Sequence, residues 1–146
     1  MKIQIKTKVR ARLSDVKKGF TEKLFLKLNP PFPPVKLHKF DGCSKGDQVI
    51  LELNFFLFKQ KWISDITEDG QDNQRWYFVD QGTKLPFFLK SWKHHHEVRS
   101  VNDHTVIFDD ITFSTGMFLT DLMMYPLLLG QFIYRKPIYK NVFSQK

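Results

Sequence analysis

The side chains best suited to chemistry stand in one run, WKHHHEV at positions 92–98. Adjacent imidazoles suit metal ligation, proton transfer near neutral pH, or the polar lining of a pocket. Side chains alternate along an extended strand, so Trp92, His94, His96 and Val98 share one face, and Lys93, His95, Glu97 and Arg99 the other. The first set begins and ends with apolar residues and the second is otherwise charged. His94 and His96 are therefore expected to face inward and His95 outward. The following run repeats the pattern, with Ile107, Asp109, Ile111 and Phe113 on its more apolar face and Asp110 on the other. A hairpin between the two runs would set Asp109 beside the imidazoles, and the opposite phase would substitute Asp110. Either carboxylate needs a partner if buried.

Three arrangements fit. In one, His94, His96 and Asp109 form a satisfied polar network that fixes the packing. In the second they are the polar spots of a ligand pocket whose walls would include Trp62, Trp76, Phe78, Trp92, Ile111, Phe113 and Leu129. In the third they work as acid, base and orienting group, or as metal ligands. An HxH pair at strand spacing arises often by chance, so neither a metal nor a cofactor is expected. Asp80 reads as a turn cap, and Gly42 and Gly46 lack the strand-to-helix setting of a phosphate loop.

The elements that must hold these residues are legible from period and breakers. Residues 2–9 alternate as a strand with Ile3, Ile5, Thr7 and Val9 on one side. Ser14 and Thr21 are positioned to cap two short helices, the second ending at Asn29 before PPFPP. Six strand-like runs follow at 35–40, 48–55, 59–66, 75–80, 89–99 and 104–113, separated by short turns that include EDGQDN and residues 81–84. No crossover helix lies between them, so they pair antiparallel. Over the last thirty residues apolar positions recur at three and four through Leu122, Tyr125, Leu129, Phe132, Tyr139 and Phe143, with Leu128, Ile133 and Val142 alongside. That predicts one long apolar helix with Pro126 in its first turn and a kink at Pro137. The order is α+β: a curved antiparallel sheet of seven strands that buries one face against the C-terminal helix, in a single domain spanning 1–146.

Composition narrows the classes. The chain has 146 residues, a formal charge of +8 and 15% aromatic residues. Nine of its basic residues fall in the first 27 positions, but Lys2, Lys6, Lys8 and Arg10 read as a solvated outer face, so no nucleic-acid partner is expected. Arg135, Lys136 and Lys140 could bring an anionic headgroup or an anionic membrane surface to a cavity entrance. A lone cysteine, Cys43, and a charged opening without a signal-like apolar core point to the cytoplasm. The segment GMFLTDLMMYPLLLGQFIY nears membrane-spanning length, yet Asp121, Gln131, Pro126 and Gly130 mark it as a helix buried in protein.

Several segments resemble one family: LFLKLNPPF at 24–32, Trp62 with Ile66, Phe78-x-Asp80-Gln81, Pro86-Phe87, Trp92-x-His94-x-His96 and Asp109-x-Ile111-x-Phe113, with Ile138, Val142 and Phe143 near the end. Together they resemble the bacterial ligand-binding proteins of the SRPBCC superfamily, whose helix-grip fold is shared by START domains, plant pollen allergens and polyketide cyclases. The stretch from Pro86-Phe87 to Trp92 is two residues longer than the family's PFxxW. The resemblance implies a seven-stranded sheet gripping the C-terminal helix around a cavity. It also implies a soluble binding module for an apolar or amphipathic small molecule such as a lipid, quinone or polyketide, or alternatively a cyclase, dehydratase or hydrolase-like enzyme. Fold alone does not choose between these.

Overall fold

Alternating burial along β1 (Lys2–Val9) puts Ile3, Ile5, Thr7 and Val9 inside and lysines outside. This pattern is the local rule from which the sheet is built. The computed structural model describes residues 1–144. After β1 come α1 (Leu13–Gly19) and α2 (Glu22–Leu28), then β2 (Val35–Phe40), β3 (Gln48–Asn54), β4 (Lys59–Gln71), β5 (Arg75–Lys84), β6 (Ser91–Val101) and β7 (His104–Ser114), and finally α3 (Phe118–Ile133) and α4 (Arg135–Val142). The seven strands form one sheet in the order β1-β7-β6-β5-β4-β3-β2, antiparallel at every junction.

Several local expectations are corrected. Thr21 does cap α2, accepting a hydrogen bond from Leu24 N at 3.3 Å, but α1 starts ahead of Ser14 and has no side-chain cap. β4 runs through EDG, because Gly70 pairs with Tyr77 and a Cβ at Gly70 would lie 2.5 Å from that ring. β5 likewise absorbs residues 81–84, with Gly82 opposite Ser64. The C-terminal helix is broken at Tyr134, three residues ahead of Pro137. Proline has no N–H to bond the Ile133 carbonyl, whereas in the first turn of α4 that missing donor is an orphan anyway. Pro126 sits midway along α3 rather than in its first turn. No helix is long and apolar enough to cross a membrane among the described residues.

The helical face that packs inward also differs from expectation. Asp121, Leu128, Phe132 and Tyr139 are buried, while Leu122, Ile133 and Val142 are exposed. Asp121 is held by Thr115, whose backbone N and Oγ1 donate to its carboxylate at 2.6 and 2.7 Å, an arrangement that ties the end of β7 to the first turn of α3.

Two apolar clusters divide the interior. One, near the hairpin turns 41–47, 72–74 and 102–103, packs Val16, Leu24, Trp76, Phe78, Tyr139 and Phe143. The other, toward the opposite end of the strands, packs Ile3, Ile5, Trp92, Ile111, Phe113, Leu128 and Phe132. These ends are called below the closed end and the open end.

Candidate functional site

The site is set by a turn. β6 and β7 are joined by Asn102 and Asp103, with Asn102 in the left-handed region at φ 55°, a conformation that asparagine tolerates. Closing the hairpin at Val101 and His104 fixes every later pair, so His96 faces Asp109 and His94 faces Ile111. On the other flank β5 sets Asp80 opposite His94 and Phe78 opposite His96. Two imidazoles thus stand in a row with a carboxylate on each side.

Within this row His94 Nε2 lies 2.8 Å from Asp109 Oδ1, and both side chains are almost wholly buried. The carboxylate only accepts, so a neutral His94 donates from Nε2 and leaves Nδ1 as a base. His96 Nδ1 is 3.5 Å and Arg135 Nη1 3.9 Å from the same oxygen. The His96 ring stacks on Phe78 at 4.3 Å, His94 meets Phe132 edge-on, and the Arg135 guanidinium lies over Phe132 at 4.4 Å. His96 Nδ1, Asp80 Oδ1, Asp109 Oδ2 and Tyr139 Oη have no hydrogen-bond partner among the described residues. Buried polar atoms of this kind cost about 1–3 kcal/mol each, and their clustering marks a place built to meet something.

Burial dominates the electrostatics. It lowers the pKa of both histidines well below the ordinary range, assisted by the Arg135 charge at His94 and by His94 and Arg135 at His96. Both are neutral at pH 7. The Asp80 carboxyl is pushed up to about 6, again by burial, against the Ser64 hydrogen bond and the Arg135 charge.

Beside the row lies a cavity of about 600 Å³. Its walls are mostly apolar, from α2, the PPFPP loop, β3, β4, β6 and α3, and its polar positions are Ser64, Asp80, His94, Gln131 and Arg135 with Asn29. Trp62 and Trp92 line it, packed edge to face at 4.9 Å, and Trp62 Nε1 donates to Ser64 Oγ at 2.9 Å. His96 and Phe78 border a small adjoining pocket of about 50 Å³ on the closed side. Trp76, Ile111, Phe113 and Leu129 lie outside the cavity wall, the first three in packed core. Asp110 points away from Asp109, as alternation requires.

Asp80 escapes sequence reasoning, whereas Arg135 was expected at a cavity entrance. Asp80 shares the inward phase of Trp76 and Phe78, a signal that was available, yet its pairing with His94 depends on the register of β5 against β6. Arg135 lines the cavity because it lies three residues after Phe132 and four before Tyr139, on the same buried helical face. Lys136 meanwhile donates to the Lys6 carbonyl.

Asp80, His94 and His96 each offer a donor atom, all within 4.8 Å of one another, which matches the donor types of a zinc or non-heme iron site. The Arg135 charge, already felt by all three, opposes a divalent cation there and suits a neutral or anionic group.

This architecture is the helix-grip fold, and the resemblance to SRPBCC proteins holds at the level of fold. No protein-family model matches the chain, and no curated protein matches it by sequence. Among solved structures it is similar to norcoclaurine synthase from Thalictrum flavum in complex with a transition-state analogue, at TM-score 0.68 and 14% identity over 98% of this chain and 93% of that one. It is similar also to an aromatase/cyclase from a Streptomyces species, at TM-score 0.63 and 12% identity over 94% and 89%. A major latex-like protein from Panax ginseng aligns at TM-score 0.55 and 14% identity over 92% and 95%.

Proposed function

We propose that the whole chain is one ligand-binding domain that holds an amphipathic small molecule, of lipid, quinone or polyketide type, in the cavity between sheet and α3. The observation that carries this reading is the cavity itself: about 600 Å³, apolar along its walls, with His94, Asp80 and Arg135 gathered at one side. An apolar body would fill the wall region while a polar or anionic head reaches Arg135 and the free Nδ1 of His94. The similarity to structures whose names include a synthase and a cyclase agrees with a pocket for ring-bearing or acyl molecules. We assign the cytoplasm as its setting on the free, half-buried thiol of Cys43, whose pKa burial pushes up to about 12.

The test is fluorescence of anilinonaphthalene sulfonate with purified protein, followed by displacement with fatty acids, quinones and aromatic polyketides. Saturable binding, lost in Met124→Trp and in Leu128→Trp, supports the reading. Absence of any saturable site in the wild type would sink it.

A second reading rests on the His94–Asp109 pair. An imidazole oriented by a buried carboxylate, beside a second carboxyl that titrates near pH 6, is acid–base equipment for cyclisation, dehydration or hydrolysis. In that case His94→Gln or Asp109→Asn abolishes turnover of a bound substrate while leaving its affinity within a few-fold.

A further inference from the structure

Most of the strongly exposed large apolar side chains lie at one end of the sheet. Phe32 in the proline loop, Phe56 and Leu57 between β3 and β4, Phe87 between β5 and β6, and Phe118 and Leu119 at the start of α3 are each at least 63% exposed. All belong to segments at the open end, because β3, β5 and β7 finish there and β4 and β6 begin there. Phe56 N donates to Asn54 Oδ1, and Phe55 N to the Phe58 carbonyl, so the β3–β4 loop is a built turn that presents Phe56 and Leu57 at its tip, 92% and 91% exposed. Exposed apolar side chains gathered at one end of a fold in this way mark an interaction face.

Charge at the same end has one sign. Lys2, Lys36, Lys59, Lys61, Lys84 and Lys90 all stand exposed in or beside these segments. The acids there are Glu52, which meets His38 and Lys59, and Asp121, which is buried on Thr115. The closed end instead carries Asp41, Asp47, Glu68, Asp69, Asp72 and Asp103 in its turns and the end of β4, mixed with Lys45, Arg75 and Arg99. The cavity wall includes Phe32, Phe55, Phe88, Met124 and Leu127, so the cavity adjoins the apolar, lysine-bordered end.

We propose that the open end docks on an anionic lipid bilayer, with Phe56, Leu57, Phe87 and Phe118 set among the acyl chains and the lysines on the headgroups, so that the cavity exchanges its ligand with the membrane. This rests on the ligand-binding reading and names the partner of that cavity. A bilayer supplies the apolar layer and the anionic plane that the two residue sets require together. A second copy seated face to face would oppose lysines to lysines. The contact surface is thus neither Lys136 nor Lys140, and Arg135 serves the cavity.

Co-sedimentation of the full chain with vesicles tests this, using phosphatidylcholine alone or with phosphatidylserine. Binding is expected on the mixed vesicles and should fall with salt. Lys59→Glu with Lys90→Glu should weaken it by more than about thirtyfold. Phe56→Ser with Leu57→Ser should weaken it by more than about tenfold, while Lys45→Glu at the closed end changes nothing. The Phe56 and Leu57 variant should still bind anilinonaphthalene sulfonate in solution like the wild type, whereas Met124→Trp should lose the dye and keep the vesicles. Failure of the cavity and failure of the docking face are thereby separated. Vesicle binding unaffected by the serine variant, absence of binding to both vesicle types, or self-association that strengthens with salt and disappears in the serine variant would each overturn the proposal.

Discussion

On the closed side of His96, Phe20 meets Trp76 and Phe78 edge to face and stacks with Phe143, and Tyr139 fills the remaining space with its side chain fully buried. On the open side the same class of residue, Trp62, Trp92, Phe55 and Phe88, stands around a cavity of about 600 Å³. Aromatic content therefore decides nothing by itself about filling or lining. The difference lies in what comes down onto the sheet. α1 and α4 pack onto the closed half, whereas in the open half α3 packs against Ile3, Ile5, Ile111 and Phe113, and the cavity lies between it, α2, the proline loop and β3, β4 and β6. The row of His94, His96, Asp80 and Asp109 lies along the divide, with dry packing on one side and a pocket on the other.

The largest effects should come from breaking the closed half. Trp76→Ala should cost about 3–5 kcal/mol in denaturant unfolding, as expected for an aromatic removed from close packing. A cost under about 1 kcal/mol would show that this half is no better packed than the other. At the divide, Asp109→Ala removes the acceptor of His94 and the neighbour of Arg135, and should cost about 2–3 kcal/mol by the same measurement.

Asp80 sharpens the comparison through pH. Its folded pKa of about 6 lies above the ordinary 3.8, so folding holds its proton more tightly. Stability from this group is full below pH 3.8, declines as pH rises toward 6, and stays reduced above it. Asp80→Asn should therefore stabilise the protein at pH 7 by about 1–3 kcal/mol and have no effect near pH 3. His94 and His96 act with the opposite sign. Their folded pKa values are depressed, so stability falls as pH drops below their ordinary 6.5. The variant should consequently lose stability on acidification more steeply than the wild type, and unfolding curves at pH 7, 5 and 4 would show it. Smallest of all, Phe56→Ala at the open rim should change stability by less than about 0.5 kcal/mol.

The direction of each strand residue was readable from alternation. Trp92, His94, His96 and Asp109 all face inward, and the hairpin does bring Asp109 to the histidines. Depth along the strand was not readable. Trp76 and Trp92 share the inward phase of their strands, yet one is packed and one lines the cavity, because the level at which the helices leave the sheet is a tertiary property. Leu129 lies on the expected helix but packs against the open-end core, and its neighbour Leu128 lines the cavity instead. Arg135 was legible as a basic residue at a cavity entrance, but its approach to Asp109 depends on how the helix docks on the sheet.

The two-residue turn at Asn102 and Asp103 has a consequence for how the chain tolerates editing. Register in an antiparallel pair moves one residue at a time, and each step exchanges the two faces. A single codon inserted between Val101 and His104 and absorbed by sliding β7 against β6 would place Phe108 in Asp109's position opposite His96 and turn Asp109 toward solvent. The connection from β5 to β6 at residues 85–90 is long enough to take up a gained residue as a bulge, whereas in this two-residue hairpin such a gain turns the site inside out.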